Sequence, residues 1–129
     1  MPARPKPSRR SLTRFDTAQF SPLTTFGDSE GAILWHNISF DAESGTGSYL
    51  MVMAPGASSM PHRHRGAEEF YVLEGELIDF DGQVCRAGDF VRLASGTAHS
   101  SLSPTGCKLL VTHWGRTERV GIGELEPLS

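Results

Sequence analysis

The stretch PHRHRGAEEFYVLEGEL, residues 61–77, sets two histidines two positions apart just ahead of an adjacent glutamate pair. In a strand over residues 60–65, period-two alternation turns Met60, His62 and His64 to one face and sends Arg63 and Arg65 to the other. The two imidazoles then stand ~7 Å apart at their backbones, given a rise of ~3.3 Å per residue, so their ring nitrogens can converge on one metal ion. Gly66 and Ala67 are small enough for a tight turn or bulge, after which an acidic residue can swing back and add an oxygen ligand. Glu68 and Glu69 both qualify, because the flanking residues are apolar on both faces and alternation does not choose between them. Chelation needs a third and usually a fourth donor. His99 is the best candidate, since it follows GDFVRLASGTA, a strand and a Gly-containing turn that a neighbouring hairpin would bring alongside. Three neutral histidines and one carboxylate suit zinc, iron, manganese, nickel or cobalt, so the residue types name the ligands and not the ion.

Each element has a plainer reading when taken singly. An HxH flanked by arginines reads as a solvated basic loop, a glutamate pair as surface charge, and His99 as an ordinary histidine near a turn. The joint pattern outweighs these only if the chain folds so as to bring residues 62–68 and 99 together. From residue 31 onward the chain reads as short strands cut by turns: 32–40, 48–54, 70–73 ending toward Gly75, 77–80 ending at Asp81-Gly82, 90–93 ending at Ser95-Gly96, and 109–114. Strand runs at this spacing, with Asp-Gly as a hairpin signal, predict an all-β sandwich or barrel. Helix signals are weak; the best is one turn at 17–20, which Pro22 would end. Runs such as FYVL and LLV are apolar on both faces, which fits two packed sheets with a filled interior or an oligomer contact outside. A jelly roll of about eight strands in two Greek keys is the compact architecture that suits this rhythm.

At 129 residues the chain suits a single domain with a real core. No stretch approaches the ~18 consecutive apolar residues of a membrane span. A net charge of -3 gives no overall field to attract nucleic acid. Residues 1–14 nevertheless carry Arg4, Lys6, Arg9, Arg10 and Arg14 with no acid, together with Pro2, Pro5 and Pro7, and read as a mobile basic arm without the apolar core of a secretory signal. Cys85 and Cys107 form no CxxC pair and read as reduced, buried thiols of a cytoplasmic protein.

Gly56, His62, His64, Glu68 and Gly75, in the spacing G-x5-H-x-H-x3-E-x6-G, resemble the first motif of the cupin superfamily, and Gly88, Gly96 and His99 resemble the second. Ala94 stands where that second motif usually has proline, and Ser103 where it often has asparagine. The resemblance implies an all-β, double-stranded β-helix (jelly-roll) barrel over residues 15–129, with motifs at 56–75 and 88–103. It also implies one divalent metal ion held by His62, His64, Glu68 and His99. The motif spacing to Gly75 favours Glu68 and leaves Glu69 outside the barrel, facing Arg63 or Arg65.

Within the superfamily the two motif segments look most like two kinds of protein: the cupin-like domain of zinc-binding anti-sigma factors, and small metal-dependent dioxygenases that cleave diketones and hydroxyketones. The anti-sigma factors need a helical domain with its own His and Cys zinc motif; residues 1–30 contain neither residue, so a standalone cupin is expected. The resemblance then implies a metal-dependent oxidoreductase of dioxygenase type acting on a diketone, hydroxyketone or aromatic diol, with coordination positions left open for substrate and dioxygen. The alternative is a non-catalytic sensor of metal and ligand. A sugar isomerase or epimerase ranks below both, for want of a Lys, Arg and Asp cluster. Met60, Phe70, Val72, Val91 and His113 are expected to line the pocket, with some of Tyr49, Met51 and Met53. His113 alternates with Cys107, Leu109 and Val111, and reads as a packed or rim histidine before it reads as a proton relay behind the ligands. Trp35 and Trp114 read as core or interface residues, and His36 is given no role. A homodimer joined through the apolar strand 32–40 is the expected assembly.

Overall fold

The structure, a computed structural model, describes residues 8–24 and 32–128. Twelve strands follow one another: β1 Ser21–Pro22, β2 Ile33–Asn37, β3 Thr46–Met53, β4 Ala57–Ser58, β5 His62–His64, β6 Glu68–Asp79, β7 Val84–Arg86, β8 Phe90–Leu93, β9 Ala98–His99, β10 Ser101–Ser103, β11 Cys107–Trp114 and β12 Thr117–Arg119. A 3-10 turn at Ile122–Glu124 follows them. Nine strands form one curled sheet in the order β1-β2-β3-β11-β6-β10-β4, with β7 and β8 also pairing β6. The other three form the sheet β12-β5-β9. The expected all-β class is what the chain adopts, and no helix among the described residues is long and apolar enough to cross a membrane.

β6 is the spine of this arrangement. Gly75 is expected to separate two strands, 70–73 and 77–80, yet β6 runs unbroken through it. The pairing with β11 slips between Lys108 and Leu109, so that Glu74 faces Lys108 while Val72 faces Leu109. Leu73 is the extra residue of a bulge, and a bulge bends a strand without ending it. Gly75 completes the bend at φ +80, a conformation that costs glycine little. The first half of β6 therefore pairs with β11 and β8, and the second half with β7 and β10. The Asp81-Gly82 hairpin forms as expected: Asp79 N–H donates to Gln83 C=O at 2.9 Å, and Gly82 sits at φ +89.

The core fills the concave side with Ile33, Tyr49, Met53, Phe70, Val72, Leu77, Leu109 and Val111. Of these Val72, Leu109 and Ile33 are fully enclosed, and each such side chain removed from water contributes ~1.5–3 kcal/mol. The strands that read as apolar on both faces thus have a packed inside, while Tyr71, Leu73, Phe90 and Leu110 stay open to solvent on the outside. Trp35 packs edge-on against Phe40 and Tyr49, and β2 lies between β3 and the short β1, which pairs it at Leu34 and Trp35. Residues 1–7 of the basic arm lie outside the described residues, and 8–14 form neither strand nor helix. Beyond the arm, the turn expected at 17–20 falls at 14–18, where Ala18 N–H donates to Arg14 C=O at 3.0 Å. Phe20 then meets the His36 ring on β2, Phe15 meets Phe20, and Lys108 on β11 reaches over the Phe15 ring, which lays this segment against the outside of the sheet.

Candidate metal centre

Two short strands and the start of a long one position the four polar residues of the two motifs. β5 turns His62 and His64 inward with Arg63 between them at the surface, as alternation requires. β9 pairs with β5 so that His99 lies directly across from His62. The turn between β5 and β6 must pass close to β11: a Cβ on Gly66 would lie 2.3 Å from the Trp114 carbonyl oxygen. The Trp114 N–H donates to the Ala67 carbonyl at 2.9 Å, and Glu68 enters β6 opposite His113. On β6 the inward phase is Glu68, Phe70 and Val72, and the outward phase is Glu69, Tyr71 and Leu73. Glu69 lies outside, as expected, but its ion-pair partner is Arg92 at 3.0 Å. Arg63 and Arg65 pair instead with Glu118, which β12 sets against β5.

His62, His64, Glu68 and His99 are all buried, and one donor atom from each lies within 4.8 Å of the others. His64 Nε2 is 3.1 Å from His99 Nε2 and 3.1 Å from Glu68 Oε2, and His99 Nε2 is 3.7 Å from Glu68 Oε1. Two ligands each ~2.1 Å from one ion and at right angles stand ~3.0 Å apart, so these separations fit adjacent positions around a single cation. Such a group could hold a metal ion.

The far nitrogen of each histidine is already engaged. His62 Nδ1–H donates to the Met60 carbonyl at 2.6 Å, and His99 Nδ1–H donates to Asp79 Oδ1 at 3.0 Å. The Ser101 hydroxyl donates to that same carboxylate oxygen at 2.6 Å. His64 Nδ1 lies 3.2 Å from the Thr117 hydroxyl, which is also 3.3 Å from His113 Nδ1. Glu68 Oε2, which as an ionised carboxylate only accepts, lies 3.0 Å from His113 Nε2 as well as 3.1 Å from His64 Nε2. The Tyr49 hydroxyl completes the chain, 2.9 Å from His113 Nε2. Such partners fix the ring orientation and tautomer of a metal-binding histidine.

Burial sets the proton affinities. Loss of solvent, with the neighbouring His99 adding to it, holds His62 down to about 4. Burial takes His64 down to about 3 against the pull of Glu68. For Glu68 burial works upward, but the surrounding His64, His113 and His99 outweigh it and hold the carboxyl below its ordinary range. His99 is pushed down by burial and raised more strongly by its hydrogen bond to Asp79 and by Glu68, so its net shift is upward.

These shifts predict acid sensitivity of the metal-free protein. As pH falls from ~6.5, the ordinary imidazole value, the unfolded chain takes up protons at His62 and His64 that the folded chain refuses until about 4 and about 3. The lowered Glu68 acts in the same direction below the ordinary carboxyl range. His99 partly opposes them, since its raised value contributes stability that is lost as pH rises through it. The net loss between pH 7 and pH 4.5 should be on the order of a few kcal/mol, read as a fall in the urea midpoint in the presence of a chelator. An unchanged midpoint over that range would contradict the buried neutral histidines.

A cavity of about 50 Å³ adjoins the four donors and is lined, among others, by Phe70, His113, Tyr49, Met51 and Met53 from the expected set. Met60, Val72 and Val91 do not line it. Residues 60 and 61 precede β5 and do not continue its alternation, so Met60 contributes its carbonyl rather than its side chain. Val72 is enclosed deeper in the core, and Val91 packs against that core from β8. Three residues of the network were not foreseen: Asp79, Ser101 and Thr117. Asp79 shares the inward phase of Leu77, and Ser101 that of His99, so an acid in phase with core residues was the available signal. His36 has a structural partner, with its Nδ1 2.8 Å from the Gln19 carbonyl. Both cysteines are buried and free.

A curled antiparallel sheet with three histidines and a glutamate turned into its concave side defines the cupin class of protein. Residues 8–116 match the family model of the ChrR Cupin-like domain, and the chain belongs to that family. Among solved structures it is similar to an acetylacetone dioxygenase from Acinetobacter johnsonii, at 18% identity and a TM-score of 0.76, over 94% of this chain and 85% of that one. An RmlC-like cupin from Shewanella frigidimarina is similar at 23% identity and a TM-score of 0.65, over 83% of this chain and 92% of that one. The anti-sigma factor ChrR of Rhodobacter sphaeroides, solved in complex with SigE, is similar at 20% identity and a TM-score of 0.62, over 78% of this chain and 50% of that one. Curated proteins offer no match. At these identities the likeness extends to the fold.

Proposed function

We propose that the protein is a metal-dependent oxidoreductase of dioxygenase type acting on a small oxygenated organic compound: a diketone, a hydroxyketone or an aromatic diol. One observation carries the reading: three histidines and a glutamate converge beside an apolar cavity, each histidine oriented by a contact at its Nδ1. A divalent ion bound there supplies Lewis-acid polarisation of the substrate oxygens and room for dioxygen. The chain's own residues do the rest. Asp79 and Thr117 hold His99 and His64 in register, and Phe70, Met51 and Met53 exclude water. His113, within hydrogen-bonding distance of both Glu68 and the Tyr49 hydroxyl, serves as the proton relay beside the substrate.

The likeness to ChrR favours a second reading, a binding module that senses metal and ligand without turnover. The outward row of Tyr71, Leu73, Phe90 and Leu110 supports a homodimer in either case, and both readings place the protein in the cytoplasm. Reconstitution under anaerobic conditions with iron(II), manganese, nickel or cobalt, followed by oxygen uptake on a panel of β-diketones, hydroxyketones and aromatic diols, separates the two. Oxygen consumption with at least one pairing is expected. Silence with all four metals, while a diketone still binds, would move the protein to the sensor reading.

A further inference from the structure

The cavity beside the four donors, at about 50 Å³, has room for an ion and a water or two. A ligand site is ordinarily ~300 Å³ or more. A substrate of even modest size must therefore extend elsewhere, and the structure provides the place. A second pocket of about 300 Å³ adjoins it, and Leu23, Tyr49, His113 and Thr117 line both spaces.

This outer pocket has a definite chemical character. Trp35, Phe40, Tyr49 and His113 line it, with Trp35 and Phe40 edge-on to Tyr49 at 5.6 and 5.7 Å and Phe40 edge-on to His113 at 5.8 Å. Trp35 and Phe40 are only half-buried, although they are among the largest apolar side chains of the molecule. Arg116 stands at the same pocket, exposed, with its Nε–H donating to the Glu43 carbonyl at 2.7 Å. That bond fixes the guanidinium beside the pocket without neutralising it. Among the described residues no carboxylate lies within 4.0 Å of the Arg116 guanidinium, and the Asp41 carboxylate of the adjoining turn is taken up by the Glu43 N–H and the Ser44 hydroxyl. Aromatic walls accept a flat ring by edge-to-face and stacked contacts, and a fixed guanidinium pairs with a planar anion.

We propose that the outer pocket receives an aromatic ring bearing a single acidic group, the ring against Trp35 and Phe40 and the acid at Arg116. One ligand spans both spaces, with its pair of oxygens past Tyr49 and His113 toward the four donors. The substrate class is then an aryl diketone or aryl hydroxyketone carrying a carboxylate. The oxygen end of this assignment rests on the function proposed above, and the ring end does not.

Binding is read from Trp35 fluorescence in the full chain carrying Trp114→Phe, since Trp114 is surface-exposed and would otherwise contribute. The probes are benzoate, acetylacetone, benzoylacetone and benzoylacetone with a ring carboxylate, each with the zinc-loaded and the chelator-treated protein. The carboxylated benzoylacetone should bind the zinc form at least tenfold more tightly than acetylacetone does. Arg116→Met should weaken it at least tenfold while changing benzoylacetone less than twofold, and Arg116→Lys, which keeps the charge, should hold it within about threefold of the parent. Equal affinity of the carboxylated probe for parent and Arg116→Met would overturn the inference, as would acetylacetone binding as tightly as the aryl probes. Benzoate binding that depends on Arg116, alongside diketone affinities that are the same with and without zinc, would sustain the ring pocket and remove the metal reading instead.

Discussion

Glu68→Gln is expected to lower metal affinity by at least ~100-fold, while Glu69→Gln keeps the full metal content. Even residues that merely orient a metal ligand cost ~10–100-fold when replaced, and Glu68 is the sole anion among the four converging donors. It is buried, so its attraction for a cation is little screened, and its carboxyl is held ionised well below the ordinary range by the histidines around it. The amide of glutamine fills the same space but brings no charge. Glu69 points outward to a partly exposed pair with Arg92, and breaking such a pair costs ~0–1 kcal/mol. Metal per chain by plasma emission, and affinity by competition with a chelating indicator, read both variants directly. Loss of metal in Glu69→Gln alone would reverse the assignment.

Gly75→Ala should destabilise the fold by at least ~3 kcal/mol, a loss at the high end for one added methyl group. Two penalties combine at this position. A side chain at φ +80 is strained by ~1–3 kcal/mol, and the new Cβ would lie 2.1 Å from the Gly106 carbonyl oxygen and 2.8 Å from the Cys107 Cα. Both obstacles are backbone and belong to the turn and strand that β6 crosses, so neither can swing aside. Gly82→Ala is the control: its φ is +89, but nothing lies within 4 Å of the added atom, and only the conformational cost should appear. Urea denaturation of the two variants isolates the steric part. If Gly75→Ala proves no worse than Gly82→Ala, the bulge does not hold β6 against β11 as described.

Much of this molecule could be read before it was folded. The all-β class followed from short apolar runs punctuated by turn residues, and the shared face of His62 and His64 followed from the pleat of any strand, because both signals are local. The choice between Glu68 and Glu69 did not follow from alternation: Tyr71 and Leu73 are as apolar as Phe70 and Val72 yet lie on the open side of the sheet. Motif spacing pointed to Glu68, and burial in the folded sheet gives the physical ground for it. Gly75 read as a break because glycine ordinarily weakens a strand, and only the slipped pairing with β11 shows it as a bend.

What the residues alone determined is the all-β class and the shared face of His62 and His64, since spacing along a chain controls which side chains of one strand point the same way. What only the tertiary structure decided is how the four donors are held and what adjoins them. Thr117 reaches His64 across 53 positions, Tyr49 reaches His113 across 64, and Asp79 reaches His99 from a different strand. The outer pocket likewise draws Trp35 and Phe40 from one segment and Arg116 from a distant one. Contacts of that kind depend on how the sheet curls and which strands it lays side by side, a property of the whole chain that no local pattern encodes.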